Sequence, residues 1–201
     1  MTGREKGGGV PVAADGGAVY SPAEDTLLLI DAVQGYAGER VLEIGVGSGA
    51  VIAELASRFG SAVGVDVDPA AVKTAKDRVA SRGGVVDFVC GDSAKSFRGG
   101  VFDLVVFNPP YLPSSGIVED RVVDGGRGGV EVSEAWFQEA SRCLRREGRI
   151  VFLVSSLSDV EGLLEHVKEL GFETRVLKHV RFFFEELSAV EASRSLLTAS
   201  I

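Results

Sequence analysis

Short apolar runs alternate along the chain with stretches in which apolar residues recur every three or four positions. "RVLEIG", "AVGVD", "VVDFVC", "FDLVVF" and "RIVFLVS" have the length and the β-branched, aromatic content of buried strands. Helical patterns cover about 48–59, 69–81, 132–146 and 159–170. The later stretch "ETRVLKHVRFFFEELSAVEAS" reads as two strands around a turn. Its three consecutive phenylalanines alternate between sheet faces in that reading, which predicts a helix-covered core position for them. Local chemistry points the same way. Ser21-Pro22-Ala23-Glu24 is a capping box with proline at the first helical position, and predicts a helix to about Gln34. Asp68-Pro69 and Ser158-x-x-Glu161 open helices similarly, and Gly60, Gly83, Gly148 and Gly171 follow helical stretches as left-handed closing residues. Strand and helix alternating in this way predict an α/β fold, a parallel sheet with helices on both faces.

The alternation occupies 18–201 as one domain, after a glycine-rich segment at 1–17 that has no periodicity and reads as a flexible tail. That tail has no apolar core of the secretory-signal kind. No apolar run approaches the roughly 20 residues of a membrane span. The one long irregular stretch is 111–130, and loops of that length in compact domains are functional or disordered.

Charge narrows the field. The 201 residues carry a formal net charge of −8, and no basic face of the kind that neutralises phosphates is evident. The densest basic piece, "SRCLRREGR", reads as a helix C-terminus where cations complement the dipole. This balance weighs against a nucleic-acid substrate. Cys90 and Cys143 stand apart from each other and from His166 and His179, so neither a zinc cluster nor a disulfide framework is indicated. Reduced thiols in a cytoplasm are the expectation.

Five positions then carry chemistry, each at the end of a predicted strand. "VLEIGVGSGA" runs a strand into Gly45, Gly47 and Gly49 and then a helix, which lets a ligand approach the backbone. Read as Gly45-x-Gly47-x-x-Ala50, it also fits a dinucleotide fingerprint. Asp66 ends the next strand, where an acid accepts hydrogen bonds from ribose hydroxyls, of NAD or of S-adenosylmethionine alike. Glu43 precedes the glycines by two residues, and a carboxylate there suits a cationic ligand better than a pyrophosphate. Asp92 follows the third strand, where it can read an adenine edge. Asn108-Pro109-Pro110-Tyr111 follows the fourth. The Asn108 side-chain oxygen and the Pro109 carbonyl can each accept one N–H of a planar –NH2 group, aligning its nitrogen for methyl transfer. The prolines keep that strand end rigid, and Tyr111 offers a stacking face.

With these residues in this order, the chain resembles class I S-adenosylmethionine-dependent methyltransferases. Within them it resembles the HemK-like protein glutamine methyltransferases that modify the Gly-Gly-Gln loop of translation release factors, in their short archaeal and eukaryotic branch. "YSPAEDTLLLIDAV", "LEIGVGSG", "NPPY" and "DGGRGGVEV" carry the resemblance, which covers Tyr20 to about Ser193. It implies a Rossmann-like, seven-stranded, mostly parallel sheet with a late antiparallel strand, S-adenosylmethionine as co-substrate, and no metal. By the same resemblance Tyr20 and Thr26 enclose the methionine end of the cofactor, Glu43 and Gly45 contact its amino-acid part, Asp66 holds the ribose, and Asp92 the adenine. Asn108 to Tyr111 hold the acceptor amide. It implies too a small zinc-binding activator protein covering an apolar edge, for which "GGVVDFVC" is the candidate.

The reading is therefore methyl transfer to a glutamine side-chain amide of a release factor, in translation termination. Three rivals stand beside it. One is another acceptor, an exocyclic base amine such as adenine N6, or a protein lysine. The second is an NAD-dependent dehydrogenase built on the glycine overlap, against which Glu43 and the NPPY motif argue. The third is a non-enzymatic scaffold, against which the intact set of Glu43, Asp66 and Asn108 argues.

Overall fold

Seven strands form the frame: β1 (Gly38–Ile44), β2 (Phe59–Asp66), β3 (Asp87–Cys90), β4 (Phe102–Phe107), β5 (Leu144–Ser155), β6 (Phe172–Arg181) and β7 (Glu186–Arg194). Among the described residues five α-helices accompany them, the first before β1 and the others between strands: α1 (Pro22–Ala32), α2 (Ala50–Leu55), α3 (Pro69–Ser81), α4 (Glu131–Cys143) and α5 (Val160–Glu169). These come from a computed structural model that describes residues 22–111 and 125–195. The expected tail, Tyr20, the Ser21 cap and 112–124 of the long irregular stretch lie outside the described residues.

The strand order is β3-β2-β1-β4-β5-β7-β6. β1 to β5 pair in parallel, and β7 is antiparallel to both β5 and β6. The expected mostly parallel sheet with a late antiparallel strand is thus present. Strand alternation divides the core in two. Val41, Leu104 and Val106 pack with Leu28, Leu29, Ile52 and Val79, so α1, α2 and α3 cover one face. Leu42, Ile44, Val105 and Phe107 pack with Phe137, Ala140 and Leu163, so α4 and α5 cover the other. The direction of travel across the sheet reverses between β1 and β4, and open α/β sheets bind ligands beyond the strand ends at such a point. Ile44 pairs with Phe107, so Gly45 and Asn108 leave the sheet side by side.

Several local expectations hold. Asp68 caps α3 by accepting from the Ala70 N–H at 2.8 Å, with Pro69 at the first helical position. Gly83 and Gly171 have φ of +70° and +83°.

Others need correction. α2 ends at Leu55, and β2 already begins at Phe59, because the Phe59 ring is buried in the core. Gly60 therefore lies within β2. Gly148 lies within β5, where a Cβ would meet Leu144 at 2.7 Å and the Asp103 carbonyl at 3.0 Å. "SRCLRREGR" closes α4 only as far as Cys143. Arg145 is in β5 and bridges Asp103 at 2.6 Å and Glu39 at 3.0 Å, so its charge ties strand ends together. Asp159, not Ser158, caps α5, accepting from the Gly162 N–H at 3.1 Å. Phe183 and Phe184 are not in a core. They form the β6–β7 turn, 79% and 74% exposed, and only Phe182 packs against the core.

Candidate active site

The C-terminal ends of β1 and β4 open on a cavity of about 550 Å³ walled by α1, the glycine loop, the Asn108–Tyr111 segment, Leu157 and Glu185. Alternation places Glu43 and Asn108 with the face that α1 and α2 cover, because Val41, Leu104 and Val106 have the same parity.

Asn108 is the most constrained of the polar residues. Its Nδ2 donates to Asp25 Oδ2 at 2.5 Å. Asp25 is 6% exposed, and its other oxygen accepts from the Thr26 backbone N–H at 2.5 Å. A carboxylate accepts only, so this contact fixes which end of the amide is nitrogen. The Asn108 Oδ1 is left buried with no hydrogen-bond partner among the described residues. A buried acceptor without a donor costs on the order of 1–3 kcal/mol until one arrives. The carbonyl is thus held in place by the opposite end of its own side chain.

Pro109 is buried and Pro110 partly so, and both line the cavity. Tyr111 lines it too, but it is 7% exposed and much of its ring belongs to the core. The glycines of the expected "DGGRGGVEV" loop find a reason here. A Cβ on Gly125 would lie 2.5 Å from the Gly129 carbonyl and 2.8 Å from that of Pro110, so the loop packs directly against the motif's backbone.

The glycine loop divides its labour. A Cβ on Gly45 would lie 2.6 Å from the Trp136 ring, and one on Gly49 would lie 2.6 Å from Ala75 in α3, so both positions serve close packing. Gly47, at φ +47°, has only the Gly45 carbonyl within 4 Å, at 3.9 Å, and leaves open space on the cavity side.

Glu43 is 5% exposed and accepts from the Ile52 N–H of α2 at 2.8 Å. Burial raises its carboxyl well above the ordinary value of 4.5; the Ile52 hydrogen bond opposes this, and the nearby Asp66 charge adds to it. A group so placed gains from a cation.

The remaining predicted residues are spread more widely. Thr26 lines the cavity, half-buried. Asp66, at the end of β2, accepts from the Gly47 N–H and the Asp68 N–H, each at 2.9 Å, and so shapes the glycine loop from behind. Asp92 is outside the cavity lining and pairs with Lys95 at 2.5 Å on the surface. Two residues that sequence reasoning missed line the cavity: Asp25 and Glu185. Asp25 had a signal. Asp25, Leu28, Leu29 and Ala32 are the buried stripe of α1 at helical spacing, so the acid sits on an apolar face, unlike its neighbour Glu24.

A family model described as a methyltransferase domain matches residues 41–116. The chain is 35% identical over 185 residues to a provisionally named protein N5-glutamine methyltransferase of Methanocaldococcus jannaschii, covering 88% of this chain and 92% of that one. It is 34% identical over 197 residues to the methyltransferase HEMK2 of Mus musculus, covering 88% and 90%. Among solved structures, the E. cuniculi Mtq2–Trm112 complex, described as responsible for methylation of the translation termination factor eRF1, superposes with a TM-score of 0.73 at 27% identity, covering 88% of this chain and 98% of that one.

Proposed function

This chain belongs to the HemK-like family of protein glutamine methyltransferases, and on that premise we propose that it methylates the side-chain amide nitrogen of a glutamine in a translation release factor. The observation that carries the reading is the buried Asn108 Oδ1, which lacks a donor among the described residues while Asp25 holds the other end of the amide.

The cavity fits S-adenosylmethionine. The buried Glu43 carboxyl suits an ammonium and a sulfonium and would repel the pyrophosphate of a dinucleotide. Gly47 leaves room for the ligand's close approach. Glu43 and Gly45 would hold the amino-acid part, with Thr26 and Tyr20 beside it. Asp66 would hold the ribose, and Asp92 the adenine after leaving Lys95. When bound, S-adenosylmethionine supplies an electrophilic methyl group. The protein's own work is positioning. Asn108 Oδ1 and the Pro109 carbonyl accept the two N–H groups of the acceptor amide, whose delocalised lone pair makes it a poor nucleophile. Both oxygens favour the positive charge that develops on that nitrogen. Its proton then becomes acidic and leaves without a strong base. Pro109 and Pro110 hold the strand end stiff, so the carbonyl keeps its aim.

A partner belongs to the same reading. The Mtq2 structure is a complex with Trm112, and a small activator subunit, zinc-binding as in the family, covers the β3 edge of this chain. β3 is a four-residue edge strand. Beside it, a cavity of about 460 Å³ is lined by Phe59, Val79 and Val85, and Val85 is 86% exposed. Such edges need cover. A release-factor substrate places the reaction in the cytoplasm; among the described residues no helix is long and apolar enough to cross a membrane.

The test is incubation with methyl-labelled S-adenosylmethionine and either a release factor or oligonucleotides, with and without the activator. Label in the protein supports the reading, and label confined to nucleic acid overturns it.

A further inference from the structure

We propose that the β6–β7 hairpin tip, Phe183 and Phe184 together with Leu157, is the docking lip for the substrate segment that carries the acceptor side chain. The inference rests on the functional reading above and extends it from the group methylated to the chain bearing it. Turn positions ordinarily favour Gly, Asn, Asp or Pro. Here two phenyl rings stand 79% and 74% exposed, and they contact each other edge to face at 4.5 Å between centroids. Leu157, 44% exposed, lies in the cavity wall together with Glu185, the residue after Phe184. The turn that carries the two rings therefore joins the rim of the proposed catalytic cavity through Glu185.

The tip is also braced. Ser155 Oγ donates to Glu185 Oε1 at 2.6 Å and accepts from the Leu157 N–H at 3.1 Å. Ser156 Oγ accepts from the Glu186 N–H at 2.9 Å, and the Phe182 N–H donates to the Glu185 carbonyl at 2.7 Å. These contacts lock the turn to the end of β5, so the rings are presented at little entropic cost on binding. Glu185 Oε2 has no partner among the described residues and remains available to a main-chain N–H at the rim.

The occupant follows from reach. A glutamine side chain is short, so a main chain delivering its amide to Asn108 must cross the mouth of the cavity, where the rings can cover its neighbours. The activator is proposed at β3, and β6 forms the opposite edge of the sheet, so the tip stays open to substrate when the activator is bound.

The test compares the unaltered protein with the double variant Phe183→Ser/Phe184→Ser in steady-state methylation of a recombinant release factor, with activator present. The expected result is a KM for the release factor raised about tenfold, as for the loss of an aromatic anchor, with kcat and S-adenosylmethionine affinity within twofold. Phe183→Leu/Phe184→Leu, which keeps the apolar surface, should recover most of the affinity. An unchanged KM in the serine variant, with a methylating parent, overturns this inference alone. So does a parent dimer that the serine variant dissociates, which would make the lip a self-contact. A parent that leaves the release factor unmethylated overturns the functional reading and this one with it.

Discussion

Glu43 and Asp25 are two carboxyl groups of almost equal burial, 5% and 6% exposed, on the walls of one cavity. Their neighbours make them different tools. Glu43 has one backbone N–H and an otherwise desolvating setting, and burial pushes its carboxyl up. It is built to gain from a cation. Asp25 already holds the Asn108 Nδ2 and the Thr26 N–H, and so fixes which way the Asn108 amide is turned. Burial alone therefore does not tell what an acid is for; the donors around it do.

The contrast can be broken in stages. The largest effect is expected downstream of Asp25. Asn108→Ala should lower kcat about 10²–10³-fold, as for loss of one preorganised polar contact, while calorimetry finds S-adenosylmethionine affinity nearly unchanged. Asp25→Asn comes next. It leaves one acceptor oxygen for two donors and puts an NH2 beside the other, so the orientation of the Asn108 amide is no longer fixed and kcat should fall about 10–100-fold, again with cofactor affinity within a few-fold. If Asp25→Asn instead weakened cofactor binding as its main effect, the two acids would share one role.

Outside the cavity wall, Asp66→Ala should weaken cofactor affinity by about 1.5–3 kcal/mol, the range for hydrogen bonds to a charged group. On the other side of the comparison, Glu43→Gln should weaken cofactor binding about tenfold, at the lower end of the same range, and leave kcat at saturation largely intact. It should also abolish a proton linkage. In the unaltered protein a cation at Glu43 favours the ionised form, so binding releases a proton and tightens as pH rises through the raised value. Titration calorimetry in buffers of different ionisation heat reads that proton directly.

The smallest effect is on stability. An acid whose folded value lies above its ordinary 4.5 contributes its full stability below that pH and loses it as pH rises toward the raised value. The melting temperature without ligand should therefore fall across that window, and the Gln variant should be flatter. Each kcal/mol of relief at neutral pH would raise Tm by about 2–4 °C for a domain of this size.

The sequence was most informative where a single interaction decides the outcome. β1, β2 and β4 are apolar runs buried on both faces, and Asp68-Pro69 is a self-sufficient helix start. Glu43, Gly47 and Asn108 follow from their strand ends, and all three line one cavity. The rest depended on contacts distant in the chain. Arg145 resembled a helix-terminal cation until Asp103 and Glu39 were placed beside it. The phenylalanine triplet resembled a strand until the turn fell inside it. Asp25 follows the capping-box Glu24, and its 83-residue separation from Asn108 hid the pairing. Only its place on the apolar stripe of α1 marked it out.

The central claim is that the Asp25-held Asn108 carbonyl receives a glutamine amide. The most direct test is tandem mass spectrometry of a release factor after reaction with S-adenosylmethionine. The account predicts one added methyl group on the side-chain nitrogen of a single glutamine, absent when Asn108→Ala replaces the parent protein. Methyl groups found on lysine instead, or on glutamine equally with Asn108→Ala, would contradict it.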